Sequence, residues 1–249
     1  GSAGRRPAHS SRWFRVPEGI GDELAVLADP FAVSLHGITR NPPPEGGKVL
    51  VYGAGALGTT AIAILGALYP EVEVMAVARF EAQAQLARSL GAEVVGHDPR
   101  LVMETAAKWS GAVLRGTTGN GTPMAFPGGI DVVYDTIGKP ESLEVGVGLL
   151  KARGRLVKLG VHGSAAWEAF PLYFKEISLV GSNAFGIEEV GGVRKHGILH
   201  YFDMVGSGQI DLAGMLTHTF RLEQWRDAFT TLATQARTGA IKVAFDFRA

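Results

Sequence analysis

A short glycine-rich stretch between an apolar strand and an apolar helix restricts the fold of this chain more than any other feature. Residues 48–52 form the kind of apolar run that makes a buried parallel strand, and residues 58–69 are apolar and Ala-rich, as in a buried helix. Between these two segments stands Gly53-Ala54-Gly55-Ala56-Leu57-Gly58, which fits the pattern G-x-G-x-x-G.

Each glycine of this motif has a predicted task. Gly53 permits a tight turn, Gly55 lets a ligand approach the backbone where a Cβ would stand, and Gly58 lets helix and strand pack closely. The N-terminus of the helix then presents free N–H groups and the positive end of its dipole to a diphosphate. The motif therefore predicts a dinucleotide site that also includes Ala56 and Leu57. The alternative is a merely tight strand-to-helix turn.

Strands and helices alternate along most of the chain. Strands are predicted at residues 48–52, 72–78, 93–95, 130–134, 155–159 and 177–180, and helices at 22–40 (with Asp22 as N-cap), 58–69, 81–90, 101–109 and 141–150. This alternation predicts an α/β fold with a doubly wound, six-stranded parallel sheet of the Rossmann type. Beyond residue 186, the pattern predicts helices at 193–205 and 222–234 and a final strand at 241–247.

The end of the second predicted strand bears on which dinucleotide binds. An Asp or Glu there would bind the ribose hydroxyls of NAD, but this strand ends Val77-Ala78-Arg79-Phe80. Arg79 suits a 2′-phosphate or a stacked adenine, which favours NADP. In the alternative, Arg79 is a solvated loop residue and NAD is bound. Ala78 in place of an acid also argues against an S-adenosylmethionine-dependent methyltransferase, without excluding it.

The composition narrows the classes of function. Lys plus Arg equals Asp plus Glu, at 24 each, so charge gives no reason to expect nucleic acid or an anionic membrane as a partner. The sequence shows no apolar run as long as a transmembrane helix and no signal peptide, and we expect a cytoplasmic protein. The absence of cysteine excludes disulfides and thiolate zinc ligands from this chain.

Several segments together resemble a known family. The first of them precedes the glycine motif and reads Ala28-Asp29-Pro30-Phe31-Ala32-Val33-Ser34-Leu35-His36. The later segments that carry the resemblance are Leu90-Gly91-Ala92, Asp135-Thr136-Ile137-Gly138, Gly154-Arg155-Leu156-Val157, Leu159-Gly160-Val161 and Gly239-Ala240-Ile241-Lys242-Val243. From about Phe14 onward, the chain resembles the medium-chain dehydrogenase/reductase superfamily. Within it, the chain is most similar to the zinc-type alcohol and polyol dehydrogenases.

This resemblance implies a domain organisation. Such enzymes begin with a GroES-like catalytic domain that supplies a zinc-binding Cys and a His-Glu pair, and most of that domain has no counterpart in this sequence. We expect residues 1–30 to be a remnant of it, residues 31–184 to form the Rossmann domain, and residues 185–249 to return towards the catalytic domain. The Gly1-Ser2 start favours an excised portion over a natural truncation.

The resemblance also implies site residues by position. Along the cofactor groove it places Thr136, Ile137, Gly138, Gly160 and Val161. Near the nicotinamide it places Val33, Ser182 and Asn183. It places Lys242 at the pyrophosphate. Asp29 stands where these enzymes have their last zinc ligand before the cofactor domain. Because one carboxylate cannot hold zinc alone, that role applies only together with the missing domain, and the alternative is a cap for a turn or helix.

Four histidines are further candidates. His36 is a candidate proton relay, although a structural role is the favoured interpretation. His162 follows the Gly160-Val161 pair and is a candidate cofactor contact. His196 and His200 have the i, i+4 spacing of a metal pair on a helix, but without the Glu of a metalloprotease motif they are interpreted as surface or packing residues. No residue is assigned a catalytic role.

The motif and the resemblance together imply the cofactor-binding part of an NAD(P)-dependent alcohol dehydrogenase-like oxidoreductase. The substrate would be a small alcohol or carbonyl compound, and zinc would be present only in the intact enzyme. We expect this chain alone to bind cofactor with little or no turnover. The alternatives are a non-catalytic dinucleotide-binding or sensor module and, less favoured, the methyltransferase. The resemblance also implies a homodimer that pairs through the sixth strand, near residues 180–185.

Overall fold

The computed structural model describes residues 13–116, 123–161, 163 and 166–248. Its strands are β1 (Lys48–Tyr52), β2 (Glu73–Ala78), β3 (Glu93–Gly96), β4 (Leu114–Arg115), β5 (Met124–Ala125), β6 (Ile130–Asp135), β7 (Leu150–Lys158), β8 (Ser178–Gly181), β9 (Ile187–Val190), β10 (Val193–His196), β11 (Leu216–Phe220) and β12 (Lys242–Phe245). Its α-helices are α1 (Asp22–Ala25), α2 (Ala28–Arg40), α3 (Ala56–Leu68), α4 (Glu81–Ser89), α5 (Pro99–Trp109), α6 (Pro140–Leu149), α7 (Phe170–Phe174), α8 (Gly197–Gly206), α9 (Trp225–Ala233) and α10 (Gln235–Thr238). Within these ranges, no helix is long and apolar enough to cross a membrane.

Six of the strands form one parallel sheet, in the order β3-β2-β1-β6-β7-β8. This confirms the predicted α/β fold with a doubly wound, six-stranded parallel sheet. The order of the strands reverses between β1 and β6. At such a switch point the carboxyl ends of neighbouring strands leave a crevice, where open sheets of this kind bind their ligands.

The sheet separates two apolar cores. On β1, Val49 and Val51 pack into the core that contains α2, α3 and α8, whereas Leu50 and Tyr52 pack into the core that contains α5 and α6. All four side chains are almost inaccessible to solvent. Burial on both faces explains why this strand is a continuous apolar run in the sequence, and it fixes the position of the bend that follows.

A buried lysine stands beside the core that contains α6. Lys175 is 1% exposed, and its Nζ donates to the carbonyl oxygens of Val147, Gly148 and Leu150, at 3.1, 2.9 and 2.5 Å. These residues lie at the C-terminal end of α6, where the helix carbonyls have no intrahelical partners. Burial lowers the pKa of the Lys175 ammonium to about 8.

The helix predicted over residues 22–40 is wrong as a single element. The chain forms α1 and α2 instead, and Gly21 rather than Asp22 is the N-cap of α1. Pro30 explains the break, because in a continuous helix it would have no N–H to donate to the carbonyl of Val26 and its ring would clash with that carbonyl. In the structure, Pro30 lies in the first turn of α2, where a missing N–H costs little.

The C-terminal part contains strands that the sequence analysis does not predict. The helix predicted over residues 193–205 begins only at Gly197, because the residues before it form β10, which is antiparallel to β9. Gly191 and Gly192 connect these two strands with φ values of +57° and +78°, the left-handed pair that a two-residue hairpin favours. The predictions also lack the β4–β5 pair and β11, which lies parallel to β12.

Candidate cofactor site

The glycine motif forms the bend between β1 and α3. Gly53 has a φ of +105°, in the left-handed region. A Cβ on Gly53 would lie 2.6 Å from Cγ1 of Ile137 and 2.8 Å from Oγ1 of Thr136. A Cβ on Gly58 would overlap the carbonyl oxygen of Gly53. Both positions therefore require glycine for reasons internal to the fold.

Gly55 differs from the other two glycines, because a Cβ on it would meet no atom of the described residues within 4 Å. Its φ of −79° is open to any residue type. Gly55 is the N-cap of α3 and offers no side-chain cap to the first turn of that helix, whose N–H groups have no intrahelical partners. The empty space beside Gly55 gives a ligand access to these N–H groups.

A cavity of about 410 Å³ opens at this bend. It lies at the switch point of the sheet, because the chain that follows β1 and the chain that follows β6 both line it. Its wall includes seven of the predicted site residues: Gly53, Gly55, Ala56, Leu57, Arg79, Thr136 and Ile137. Gly58 stands behind the bend as a packing residue. The volume falls within the range of small-molecule and cofactor sites.

Hydrogen bonds hold the chain after β6 against the glycine bend. Oγ1 of Thr136 donates to the carbonyl oxygen of Gly53 at 2.9 Å, which joins the ends of β6 and β1. The fully buried Asp135 accepts from the N–H groups of Ile137 and Gly138, at 3.1 Å each. The wall of the cavity opposite α3 is therefore set by polar contacts that do not depend on a ligand.

Four other predicted cofactor residues are not part of the wall that the described residues form. Gly138 and Gly160 pack backbone to backbone, since a Cβ on Gly160 would collide with the amide nitrogen of Gly138. Val161 is 93% exposed. Lys242 lies on β12, one residue beyond Ile241, which does line the cavity. The cofactor contacts of these residues stay predictions.

Ser182 and Asn183 line a separate cavity of about 290 Å³, together with His36 and Arg40. Within the described part of the chain, Oγ of Ser182 is buried without a hydrogen-bond partner. The structure thus brings these two predicted residues together, but not into the cavity at the glycine bend. Their predicted place near the nicotinamide amide stays a prediction.

The wall of the cavity at the glycine bend also contains residues that the sequence analysis does not identify as site residues: Tyr52, Ala54, Val77, Phe80, Gln83, His97, Lys139, Glu141, Ser142, Gln235 and Ile241. Tyr52 ends β1, and its buried hydroxyl has no hydrogen-bond partner among the described residues. Burial, and then the charge of Glu141, raise the pKa of the Tyr52 hydroxyl, so it stays a neutral donor. The position of Tyr52 directly before the motif was a usable signal, whereas Gln235 and Ile241 reach the cavity only through tertiary packing.

The described residues do not fit a zinc ion. They contain no group of three or more His, Cys, Asp or Glu side chains placed to hold a metal. Asp29 is exposed in the first turn of α2, and the alternative prediction that it caps this helix is wrong, because the N-cap is Leu27. Since a zinc site needs three or four converging ligands, Asp29 alone does not make one.

His36 belongs to a partly buried polar cluster. Its Nδ1 lies 2.6 Å from Oε1 of Glu188, and Oε2 of the same carboxylate accepts from Oγ1 of Thr39 at 2.8 Å. Glu188 is 4% exposed, so these contacts satisfy a charge that would otherwise be buried without partners. This arrangement agrees with the structural interpretation of His36.

The other candidate histidines also have structural contacts. Nε2 of the buried His200 lies 3.1 Å from the carbonyl oxygen of Glu188. His196 ends β10 and is the N-cap of α8, where its Nδ1 accepts from the N–H of Ile198 at 3.2 Å. These contacts agree with a packing role and not with a metal pair on one helix. His162 lies outside the described residues.

Comparison with known sequences identifies relatives of this chain. The profile of a family described as zinc-binding dehydrogenases matches residues 56–196. D-arabinitol dehydrogenase 1 from Uromyces fabae is 26% identical over 219 residues, which are 86% of this chain and 56% of that protein. Sorbitol dehydrogenase from Bacillus subtilis is 25% identical over 233 residues, which are 92% of this chain and 59% of that protein. The chain thus spans less than two thirds of the length of these relatives.

Solved structures show the same fold. A protein from Escherichia coli CFT073, described as a short chain alcohol dehydrogenase and complexed with NADH, superposes with a TM-score of 0.75 at 21% identity, over 95% of this chain and 63% of that one. A protein from Sinorhizobium meliloti 1021, bound to NADP, gives a TM-score of 0.69 at 25% identity, over 94% of this chain and 62% of that one.

Proposed function

This chain belongs to the zinc-binding dehydrogenase family, and from that premise we propose that it is the cofactor-binding part of an NAD(P)-dependent alcohol dehydrogenase-like oxidoreductase. Such an enzyme transfers a hydride between a nicotinamide ring and an alcohol or carbonyl carbon. The cofactor supplies that chemistry, and the protein binds and orients it.

The open space at Gly55 is the observation that carries this proposal. Packing within the protein explains why positions 53 and 58 are glycine. No contact among the described residues explains why position 55 is glycine. Beside it lie the cavity and the uncapped first turn of the buried helix α3. A diphosphate in this place would accept from backbone N–H groups at the positive end of the helix dipole.

We propose NADP as the preferred dinucleotide, with NAD as the alternative. β2 ends at Ala78 without the acid that would bind the ribose hydroxyls of NAD, and the next residue, Arg79, lines the cavity. The guanidinium of Arg79 lies 5.3 Å from the ring centroid of Phe80. It is exposed at the point where a 2′-phosphate would lie.

The substrate, the metal and the partners are proposals about the whole protein. We propose a small alcohol or carbonyl substrate, in line with the arabinitol and sorbitol dehydrogenases among the relatives. Asp29 would ligate zinc only with ligands from outside this chain. The domain boundaries (1–30, 31–184 and 185–249), a cytoplasmic location and a homodimer that pairs along the edge strand β8 belong to the same proposal.

Calorimetric titration with NADPH, NADH and S-adenosylmethionine tests the binding function. We expect saturable binding of both dinucleotides, with NADPH the tighter. Binding of S-adenosylmethionine alone would contradict the proposal and support the methyltransferase, and tighter binding of NADH would reverse the NADP preference. A sensor module would bind the dinucleotide but transfer no hydride within the intact protein. Robust turnover by this chain alone would contradict the assignment of catalysis to the whole protein.

A further inference from the structure

Another cavity adjoins the one at the glycine bend and lies around the end of β2. It measures about 450 Å³ and shares Arg79, Phe80 and Gln235 with the first cavity. The start of α4 and residues 236–239 supply the rest of its wall. Two segments that are far apart in the sequence thus meet where the second strand of the sheet ends.

This adjoining cavity carries positive charge that no ion pair among the described residues neutralises. Two arginines, Arg79 and Arg237, belong to its wall, and both are exposed. Among the described residues, Glu81 is its one acidic lining residue, and Oε1 of that side chain already accepts from Nη1 of Arg88 at 3.3 Å. None of the ion pairs within the described part of the chain involves Arg79 or Arg237.

The backbone that carries Arg237 is held against α4. Oγ1 of Thr238 donates to the carbonyl oxygen of Thr231 at 2.9 Å, and Gly239 then turns the chain with a φ of +68°. A Cβ on Gly239 would lie 3.7 Å from Cβ of Ala82, so this turn packs on the first turn of α4. The contact keeps Arg237 next to the end of β2.

We propose that Arg79 and Arg237 together bind the 2′-phosphate of NADP, so that the C-terminal segment contributes to the choice between NADP and NAD. This inference rests on the proposed function, since the adenosine ribose of a dinucleotide lies at the end of the second strand in this fold. Two guanidinium groups from different segments suit the oxygens of a phosphomonoester. The first turn of α4, which has no side-chain cap, adds the positive end of a helix dipole.

Two fragments of the cofactor separate this inference from general nucleotide binding. Adenosine 5′-monophosphate and adenosine 2′,5′-bisphosphate differ only in the 2′-phosphate. We expect the unchanged chain to bind the bisphosphate more tightly. Arg237→Ala should weaken bisphosphate binding about tenfold and leave monophosphate binding unchanged, because it removes a charge-assisted contact to one phosphate. Arg79→Ala should act in the same direction.

Arg226→Ala is the matched control. Arg226 lies on α9 of the same C-terminal segment, is exposed, and has its guanidinium 4.8 Å from the ring centroid of Trp225. It is absent from the described walls of both cavities, so its replacement should change the affinity for neither probe. Melting temperatures of the three variants should match that of the unchanged chain, because all three side chains are exposed.

Two kinds of failure are distinguishable. The inference is wrong if the unchanged chain binds both probes equally, or if Arg237→Ala weakens both probes to the same extent or neither of them. The proposed function survives either result as long as NADPH or NADH binds. If neither dinucleotide binds, the proposed function fails, and the inference fails with it.

Discussion

The carbonyl oxygen of Gly53 occupies the space in which a Cβ of Gly58 would stand. The bend between β1 and α3 is therefore closed by main-chain contact before any ligand is considered. Gly55, by contrast, faces open space. Substitutions at these glycines should separate the stability of the fold from its affinity for a cofactor.

Gly58→Ala should lower the free energy of unfolding by about 2–4 kcal/mol, because the added Cβ has to push the bend or the helix apart. Gly66→Ala is the control on the same helix. Its Cβ would lie 3.8 Å from the carbonyl oxygen of Leu90, an ordinary contact, so it should be neutral or stabilising by up to ~1 kcal/mol. Urea unfolding measures both variants, and equal effects would show that the overlap at Gly58 is relieved at no cost.

Gly55→Ala should reduce the affinity for NADPH at least tenfold, because a methyl group would stand where the diphosphate approaches the backbone. The unfolding free energy should not fall, since the added Cβ has room and the φ of −79° is ordinary. Gly206→Ala, in α8, is the control, because its Cβ also meets no atom of the described residues within 4 Å. Calorimetric titration of both variants is the measurement. Unchanged binding by Gly55→Ala would remove the main support for the proposed function.

Tyr52→Phe should weaken NADPH binding about three- to tenfold, the effect of one lost hydrogen bond, if the buried hydroxyl donates to the cofactor. Burial raises the pKa of this hydroxyl above its ordinary value of about 10 and keeps it protonated, so the effect should be constant from about pH 6 to about pH 9. Tyr201→Phe is the control. Tyr201 donates to the carbonyl of Leu24 at 2.6 Å, so its loss should cost about 1 kcal/mol of stability without changing affinity. Unchanged affinity of Tyr52→Phe for NADPH would show that the Tyr52 hydroxyl has no part in binding.

Lys175 should make stability rise with pH in the alkaline range. Its folded-state pKa of about 8 lies below the ordinary lysine pKa of 10.5, so between these two values the unfolded chain binds more protons than the folded chain. Relative to Lys175→Met, the unchanged protein should therefore gain about 1–2 kcal/mol between roughly pH 7.5 and 9.5.

Urea unfolding at several pH values measures this difference. Lys108→Met replaces an exposed lysine on α5 and should keep the pH dependence of the unchanged chain. A constant difference between the unchanged protein and Lys175→Met over this range would show that the ammonium stays charged on the three carbonyls.

The sheet was predictable because its signals are local. Buried parallel strands are continuous apolar runs, and the glycine motif fixes the first strand-to-helix turn. The errors lie where two neighbouring signals compete. Pro30 divides an otherwise helical pattern, and the Gly191-Gly192 pair indicates a hairpin that the helical spacing of the residues after it conceals.

The part of the candidate site next to β1 and β6 was predictable, because the glycine motif and the residues after β6 directly follow strands that the sequence identifies. The part formed by the C-terminal segment near the end of β2 was not predictable. Gln235 and Arg237 reach the end of β2 because β12 pairs with β11 and Gly239 packs on Ala82. Such long-range contacts leave no periodicity in the sequence near these residues.

The helices that complete this side are weakly anchored, since α9 buries only Ala228 and α10 buries no residue. Gln235 nevertheless belongs to the walls of both cavities. A dinucleotide bound in the two adjoining cavities would contact both the sheet and the C-terminal helices. It would therefore stabilise the packing of these helices on the sheet, and its release would make them the first part of the fold to open.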